Sequence, residues 1–176
     1  MAKNLEDFLN KKKEGLAQMF RELPAIIGEE VVNFTLDNFE AEGWQGNSFE
    51  AWQKRKNPTA WGKKDDPGRA LLVKTVKLKR SVRIISIQQD KVIVGAGGAD
   101  VPYARVHNEG FSGEVTQNVN EHIRKTKNLK NVKVSAFKRT IQQNIPKRQF
   151  IGSAATSSQL RTRIRNVSVS ELKKHI

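Results

Sequence analysis

The run from Arg69 to Phe111, RALLVKTVKLKRSVRIISIQQDKVIVGAGGADVPYARVHNEGF, constrains the fold of this chain more than any other stretch. Val82 to Ile87 and Val92 to Val94 are β-branched runs separated by Gln88-Gln89-Asp90-Lys91, the composition of two paired strands and a short polar loop. Ahead of them, the basic residues from Arg69 onward predict a short helix, with Thr75 placed to cap Val76-Lys77-Leu78 through its hydroxyl. Behind them, Gly95, Gly97 and Gly98 permit the backbone angles of a tight bend. Pro102 suits a first helical turn, where its missing N–H is not needed, and Gly110 suits the left-handed position after the last turn. Helix, hairpin, bend and helix in that order describe a scaffold rather than an active site.

Residues 4 to 23 set Leu5, Phe8, Leu9, Leu16, Met19, Phe20 and Leu23 at helical spacing, with Lys11, Lys12, Lys13 and Glu14 largely off that stripe. Pro24 then predicts a joint and a second helix carrying Ile27, Val31, Phe34 and Asn38 on one side, Phe39 close by, and Gly43 as its stop. Such a stripe packs into a core or, this near the terminus, docks on a neighbouring subunit. From Trp44 to Gly68 the text reads as an ordered loop holding Trp44, Trp52 and Trp61 around Lys54-Arg55-Lys56. Aromatics among cations can stack on single-stranded nucleic acid; the favoured reading is that each ring pins the loop to the domain.

In residues 112 to 144 apolar positions alternate at Val115, Val119 and Ile123, and again at Val132, Val134 and Ala136. Between them lies a lysine-rich middle, so this is a long β-hairpin with a basic tip, either mobile or ordered by a partner. The end of the chain, 156 to 176, predicts a helix with Leu160 and Ile164 inward and Arg161, Arg163 and Arg165 outward. The Ser- and Val-rich run from Asn166 to Ser170 predicts a break before SELKKHI. Together these readings give one α+β domain over 1–176. Its helical part is 1–43, the Trp-rich loop 44–68, the core sheet 69–155 with the projecting hairpin 112–144, and the C-terminal helical tail 156–176.

Several kinds of chemistry lack their residues. The chain has no cysteine, which removes disulfides and thiolate chemistry. GAGGAD at 95 to 100 ends on Asp100 where the dinucleotide pattern needs glycine, and no GKS or GKT follows for a P-loop. His107, His122 and His175 are scattered without ligand spacing, no serine sits in GxSxG, and Asp65-Asp66 beside Lys63-Lys64 reads as a turn before Pro67. No catalytic residue, cofactor, metal or small-molecule substrate is expected. No apolar run approaches the length of a membrane span, and MAKNLEDFLNKKKEGL has no signal-peptide block, so the expected site of synthesis is the cytosol.

The formal net charge of +14 is uneven. Residues 1 to 60 hold 8 Lys/Arg against 10 Asp/Glu, whereas residues 61 to 176 hold 24 against 8. A half that basic attracts polyanions, nucleic acid above all, or an acidic face of a partner, unless it is simply a solvated surface. A basic nucleic-acid-binding module is therefore the competing reading.

Four pieces in order carry a resemblance. They are Phe39 with Trp52-Gln53-Lys54-Arg55; Leu72-Val73-Lys74-Thr75 with Leu78 and Ser81; Val101-Pro102-Tyr103-Ala104-Arg105-Val106-His107-Asn108-Glu109-Gly110; and Ile145-Pro146-Lys147-Arg148-Gln149-Phe150-Ile151-Gly152. Over about residues 25 to 155 the chain resembles the tailed-bacteriophage virion morphogenesis family, which includes the tail completion proteins of Mu-like phages. It departs at Val76, where the family often has glycine, and at Lys147, where a smaller residue is usual. The resemblance implies a non-enzymatic structural protein of the neck or upper tail, acting in tail completion and head-tail joining. It also implies a homo-oligomeric ring around the DNA exit path, with other neck and tail proteins as partners. Its place would be the host cytoplasm during assembly, then the virion, whether of an active phage or a prophage. Trp52, Leu78, Tyr103, Ala104, His107, Gly110, Pro146, Arg148 and Phe150 are the motif positions, with Phe150 as core anchor and Arg148 pairing a carboxylate or carbonyls near Gly110. Arg124, Lys125, Lys127, Lys130 and Lys133 are the candidate contacts to DNA, non-specifically, or to an acidic neighbouring subunit; no membrane contact is expected.

Overall fold

The computed structural model describes residues 2–55, 68–125 and 131–175. Its first element is one helix, α1, Ala2–Glu40, where the sequence predicts two helices meeting at Pro24. A proline inside a helix forfeits a backbone bond and crowds the preceding turn, at about 3 kcal/mol. Pro24 is buried here, and Met19, Phe34 and Asn38 of the same stripe are buried on either side of it. Packing along both halves outweighs the lost bond. The helix ends early: Glu42, at φ 49, takes the left-handed position expected of Gly43. Gly43 instead opens β1, Gly43–Gln45, where a Cβ would lie 2.3 Å from the Phe49 ring of β2, Phe49–Ala51. The segment read as loop thus begins with a hairpin, Trp44 facing Glu50. Trp44 and Trp52 are buried as pins; Trp61, Asp65-Asp66 and the rest of 56–67 lie outside the described residues.

The helix predicted from Arg69 is only α2, Lys77–Arg80. Thr75 does not cap it. The cap position is Val76, at φ 57 and without a side-chain cap bond. Strands β3, Arg83–Ile87, and β4, Val92–Gly95, form the expected hairpin, with a bulge between Ile84 and Ser86. Across its turn the Gln88 N–H donates to the Lys91 carbonyl at 2.8 Å. The ribbon lies against α1 at Gly28, where a Cβ would come within 2.8 Å of Ile84 and 3.1 Å of Val92. The glycine bend holds Gly97 at φ 104 and Gly98 at φ 140. Helix α3, Ala104–Glu109, closes on Gly110, whose N–H donates to the Val106 carbonyl at 2.9 Å.

The long hairpin is present, one residue longer at each end than predicted. Strand β5, Phe111–Val119, pairs with β8, Phe137–Ile145, and β6, His122–Lys125, with β7, Asn131–Val134. Val119 faces Phe137 and His122 faces Val134, three residues further along each arm, so one register runs throughout. Fifteen residues per arm at about 3.4 Å each give a reach of roughly 50 Å. The two apolar alternations do not share a face. Val115 and Val119 face Ile141 and Phe137, whereas Val132 faces Arg124 on the opposite side, since a strand's side chains alternate. No residue in these four strands is buried.

Helix α4, Ser158–His175, runs unbroken through Asn166 to Ser170. The Ser168 hydroxyl donates to the Ile164 carbonyl at 2.8 Å, which satisfies it inside the helix. Ser157 is its N-cap: the Oγ accepts from the Leu160 N–H at 3.0 Å and donates to the Gln45 carbonyl at 2.6 Å. Arg163, predicted to point outward, instead pairs with Asp37 at 2.7 Å and Glu30 at 3.4 Å, with its guanidinium over the Phe34 ring. It ties α4 to α1. The fold is α+β: terminal helices packed together, and antiparallel strands divided among four two-stranded ribbons. One core cluster gathers Phe39, Trp52, Leu71, Leu78, Val82, Val101, Ala104 and Phe150; a second gathers Phe34, Trp44 and Leu160.

Candidate functional site

The motif positions converge where residues 146–152 return beneath α1 and α3. This return segment forms no strand, so side chains satisfy its backbone instead. The Asn108 Oδ1 accepts from the N–H groups of Phe150 at 3.0 Å and Ile151 at 3.1 Å. The Asn38 amide donates to the Phe150 carbonyl at 3.1 Å, and its oxygen accepts from the Gln45 N–H at 3.2 Å. The Trp52 indole donates to the Gln149 carbonyl at 2.8 Å. The Arg148 Nε and one terminal nitrogen fork onto the Gln53 carbonyl at 3.0 and 2.8 Å, and its main-chain N–H donates to the His107 carbonyl at 2.8 Å. The carbonyl that Arg148 grips is therefore Gln53's, not one beside Gly110.

Apolar contacts complete the junction. The Phe150 ring is 1% exposed and lies 5.0 Å from Phe39, which meets Trp52 edge-on at 5.6 Å. Leu78 and Ala104 are buried in the same cluster. Gly110, at φ 81, lets the return segment approach: a Cβ there would lie 3.0 Å from the Lys147 nitrogen and 3.3 Å from the Ile145 carbonyl. Pro146 follows directly on β8 and is half-buried. Tyr103 meets the half-buried His107 ring edge-on at 5.7 Å. Burial first, then the Arg148 guanidinium, hold His107 below its ordinary range. Arg148 itself is lowered by burial and by Arg55, with Glu42 acting in the opposite sense.

Asn38 and Asn108 hold this junction, yet sequence reasoning did not single them out as site residues. The signal for Asn38 was its place on an apolar helix stripe. A polar side chain that falls on a core-facing stripe has to find buried partners.

The five candidate cations sit apart from the junction, on the distal hairpin. Arg124 and Lys125 are exposed and form no ion pair with any described residue. Lys133 pairs with Glu121 at 3.1 Å, while Lys127 and Lys130 lie outside the described residues. Beside the backbone ladder and the Val115–Ile141 and Val119–Phe137 pairs, the proximal arms are linked on the surface by Arg139, which donates to the Gln117 side-chain oxygen at 2.9 and 3.1 Å.

Shape is the other property of the site. A 39-residue helix is about 58 Å long, against a radius of gyration of about 16 Å for a compact chain of this length. The accessible surface is 13129 Å², whereas a compact protein of this mass exposes about 8,700 Å². Among the described residues no group of three or more His, Asp or Glu could hold a metal, and no helix is long and apolar enough to cross a membrane.

No curated protein and no solved structure matches the chain significantly. The family model of the phage virion morphogenesis family matches residues 2–173, nearly the whole chain, including α1 and all but the last two residues of α4. With the motif junction inside that span, the chain belongs to the phage virion morphogenesis family, and its role lies in the structure or assembly of a phage particle.

Proposed function

We propose that this protein is a structural subunit of the phage neck or upper tail that acts in tail completion and head-tail joining, as a homo-oligomer closed around the DNA path. One observation carries the reading: two projections, the hairpin and the first turns of α1, extend from a body locked by the motif junction. A monomer working alone gains nothing from apolar residues on projections of that reach, whereas a subunit of a ring uses them to hold its neighbours. Other neck and tail proteins are the further partners, and no catalytic step is involved.

The test is genetic. Particles made from a phage genome with this gene deleted should separate into filled heads and finished tails that do not join, as seen by negative-stain electron microscopy. Joined particles in normal number would refute it.

A second reading has its own support in the exposed Arg124 and Lys125, which form no ion pair with any described residue. A DNA-gripping module would bind duplex with an affinity falling steeply with log salt, by about one tenfold step per phosphate contact per tenfold rise in salt. Arg124→Glu with Lys125→Glu would abolish that binding. A subunit whose hairpin meets protein would show little binding to lose.

A further inference from the structure

The apolar stripe of α1 is one surface with two fates. Met19 and the stripe positions from Leu23 onward are buried or half-buried by the core and by α4, while Phe20 between them is 59% exposed. Helix α4 ends opposite Gly15, where a Cβ would lie 3.2 Å from the His175 ring. Ahead of that point Leu5, Phe8 and Leu9 are 60%, 55% and 47% exposed on about 21 Å of helix that no other described element covers, with only the helix's own Lys12 over the Phe8 ring. An amphipathic helix retains such a stripe because something packs on it.

The same chain carries a surface of matching character. A groove of about 910 Å³ runs between α1, β4, α3 and the return segment, lined by Phe20, Leu23, Ile27, Val92, Ile93 and Ile151 among others. The stripe cannot reach this groove in its own chain. Leu5 and Leu23 stand on one continuous helix, about 27 Å apart along its axis, and no hinge separates them.

Resting on the assembly reading above, we propose that Leu5, Phe8 and Leu9 of one copy seat in the groove beside Phe20, Leu23 and Ile93 of the next copy. The first turns of the stripe and the groove that begins at Phe20 lie at different places on the chain, so the contact we propose is heterologous, repeated head to tail as in a ring, whereas a reciprocal pairing of the same residues would close at a dimer. A standard interface buries about 800 Å² per partner, so two such contacts per subunit take about 1,600 Å², and a chain that bears them still exposes more surface than a compact protein of its mass.

The experiment uses two full-length variants in light scattering. Leu5→Glu with Phe8→Glu spoils the stripe, and Phe20→Glu with Ile93→Glu spoils the groove; all four positions are exposed, and unchanged urea midpoints verify folding. Each variant alone is expected to fall from the wild-type mass to 19.9 kDa. Mixed one to one, they are expected to form a dimer of twice that mass and nothing larger, because one intact stripe meets one intact groove. A chain free of cysteine allows a second readout: Phe8→Cys with Ile93→Cys in one chain should give a ladder of disulfide-linked multimers on oxidation. Variants that keep the wild-type mass, or a mixture that stays monomeric with no ladder, would overturn the docking. The first of these leaves the assembly reading intact, whereas a wild type that is monomeric throughout would remove both.

Discussion

Replacing Phe150 with alanine tests the junction most sharply, because the backbone bonds of residue 150 survive the change. Its N–H still donates to Asn108 and its carbonyl still accepts from Asn38, so the loss isolates the ring. The ring is 1% exposed against Phe39, which places the expected cost in the range of about 3 to 5 kcal/mol found for buried phenylalanine. Phe150 also lines the groove. Water can refill part of the space left behind, which lowers the cavity cost and sets the expectation at about 3 kcal/mol. In urea unfolding, with a slope of about 2 kcal/mol per molar, the midpoint should drop by about 1.5 M at an unchanged slope. A drop under about 0.5 M would refute the view that this ring anchors the return segment.

Asn38→Leu keeps the number and branching of the side-chain heavy atoms but strands the Phe150 carbonyl and the Gln45 N–H, and should cost about 3 kcal/mol by the same assay. Val76→Gly should raise stability by up to about 1 kcal/mol, since the left-handed angle strains a β-branched residue and suits glycine; a lower midpoint would contradict the strain. The His107 pKa is depressed on folding, chiefly by burial. The unfolded chain therefore binds more protons as pH falls below about 6.5. That contribution is fully present above the unfolded value and is lost as pH drops from it toward the folded one. Wild type should accordingly lose more stability between pH 7.5 and 5.5 than His107→Gln, and equal losses would show that His107 does not report this junction.

What was legible in the sequence was local. The β3–β4 hairpin, the glycine bend and the register-bearing arms follow from β-branched runs and turn residues, whose preferences act within a few positions. What was not legible was set by tertiary packing. Pro24 reads as a joint by its own chemistry, yet packing along the stripe carries α1 straight through it. Asn166 to Ser170 reads as a break, yet α4 continues because one face rests on α1. The return segment is the clearest case. IPKRQFIG shows no periodicity, because its backbone is held by Asn38, Asn108 and Trp52 from three distant elements rather than by a strand partner. Val76 shows the converse: its left-handed angle is one that glycine adopts more readily, and nothing in the structure explains why valine stands there.

The central claim is self-assembly through projecting surfaces, and absolute mass in solution tests it most directly. Light scattering on nucleic-acid-free protein, over a concentration series at two salt levels, should give one discrete mass at an integer multiple of 19.9 kDa. That mass should change little with salt, because the proposed contacts are apolar. A monomer at every concentration that binds duplex DNA with a steep salt dependence would contradict the account and leave the nucleic-acid-binding module in its place.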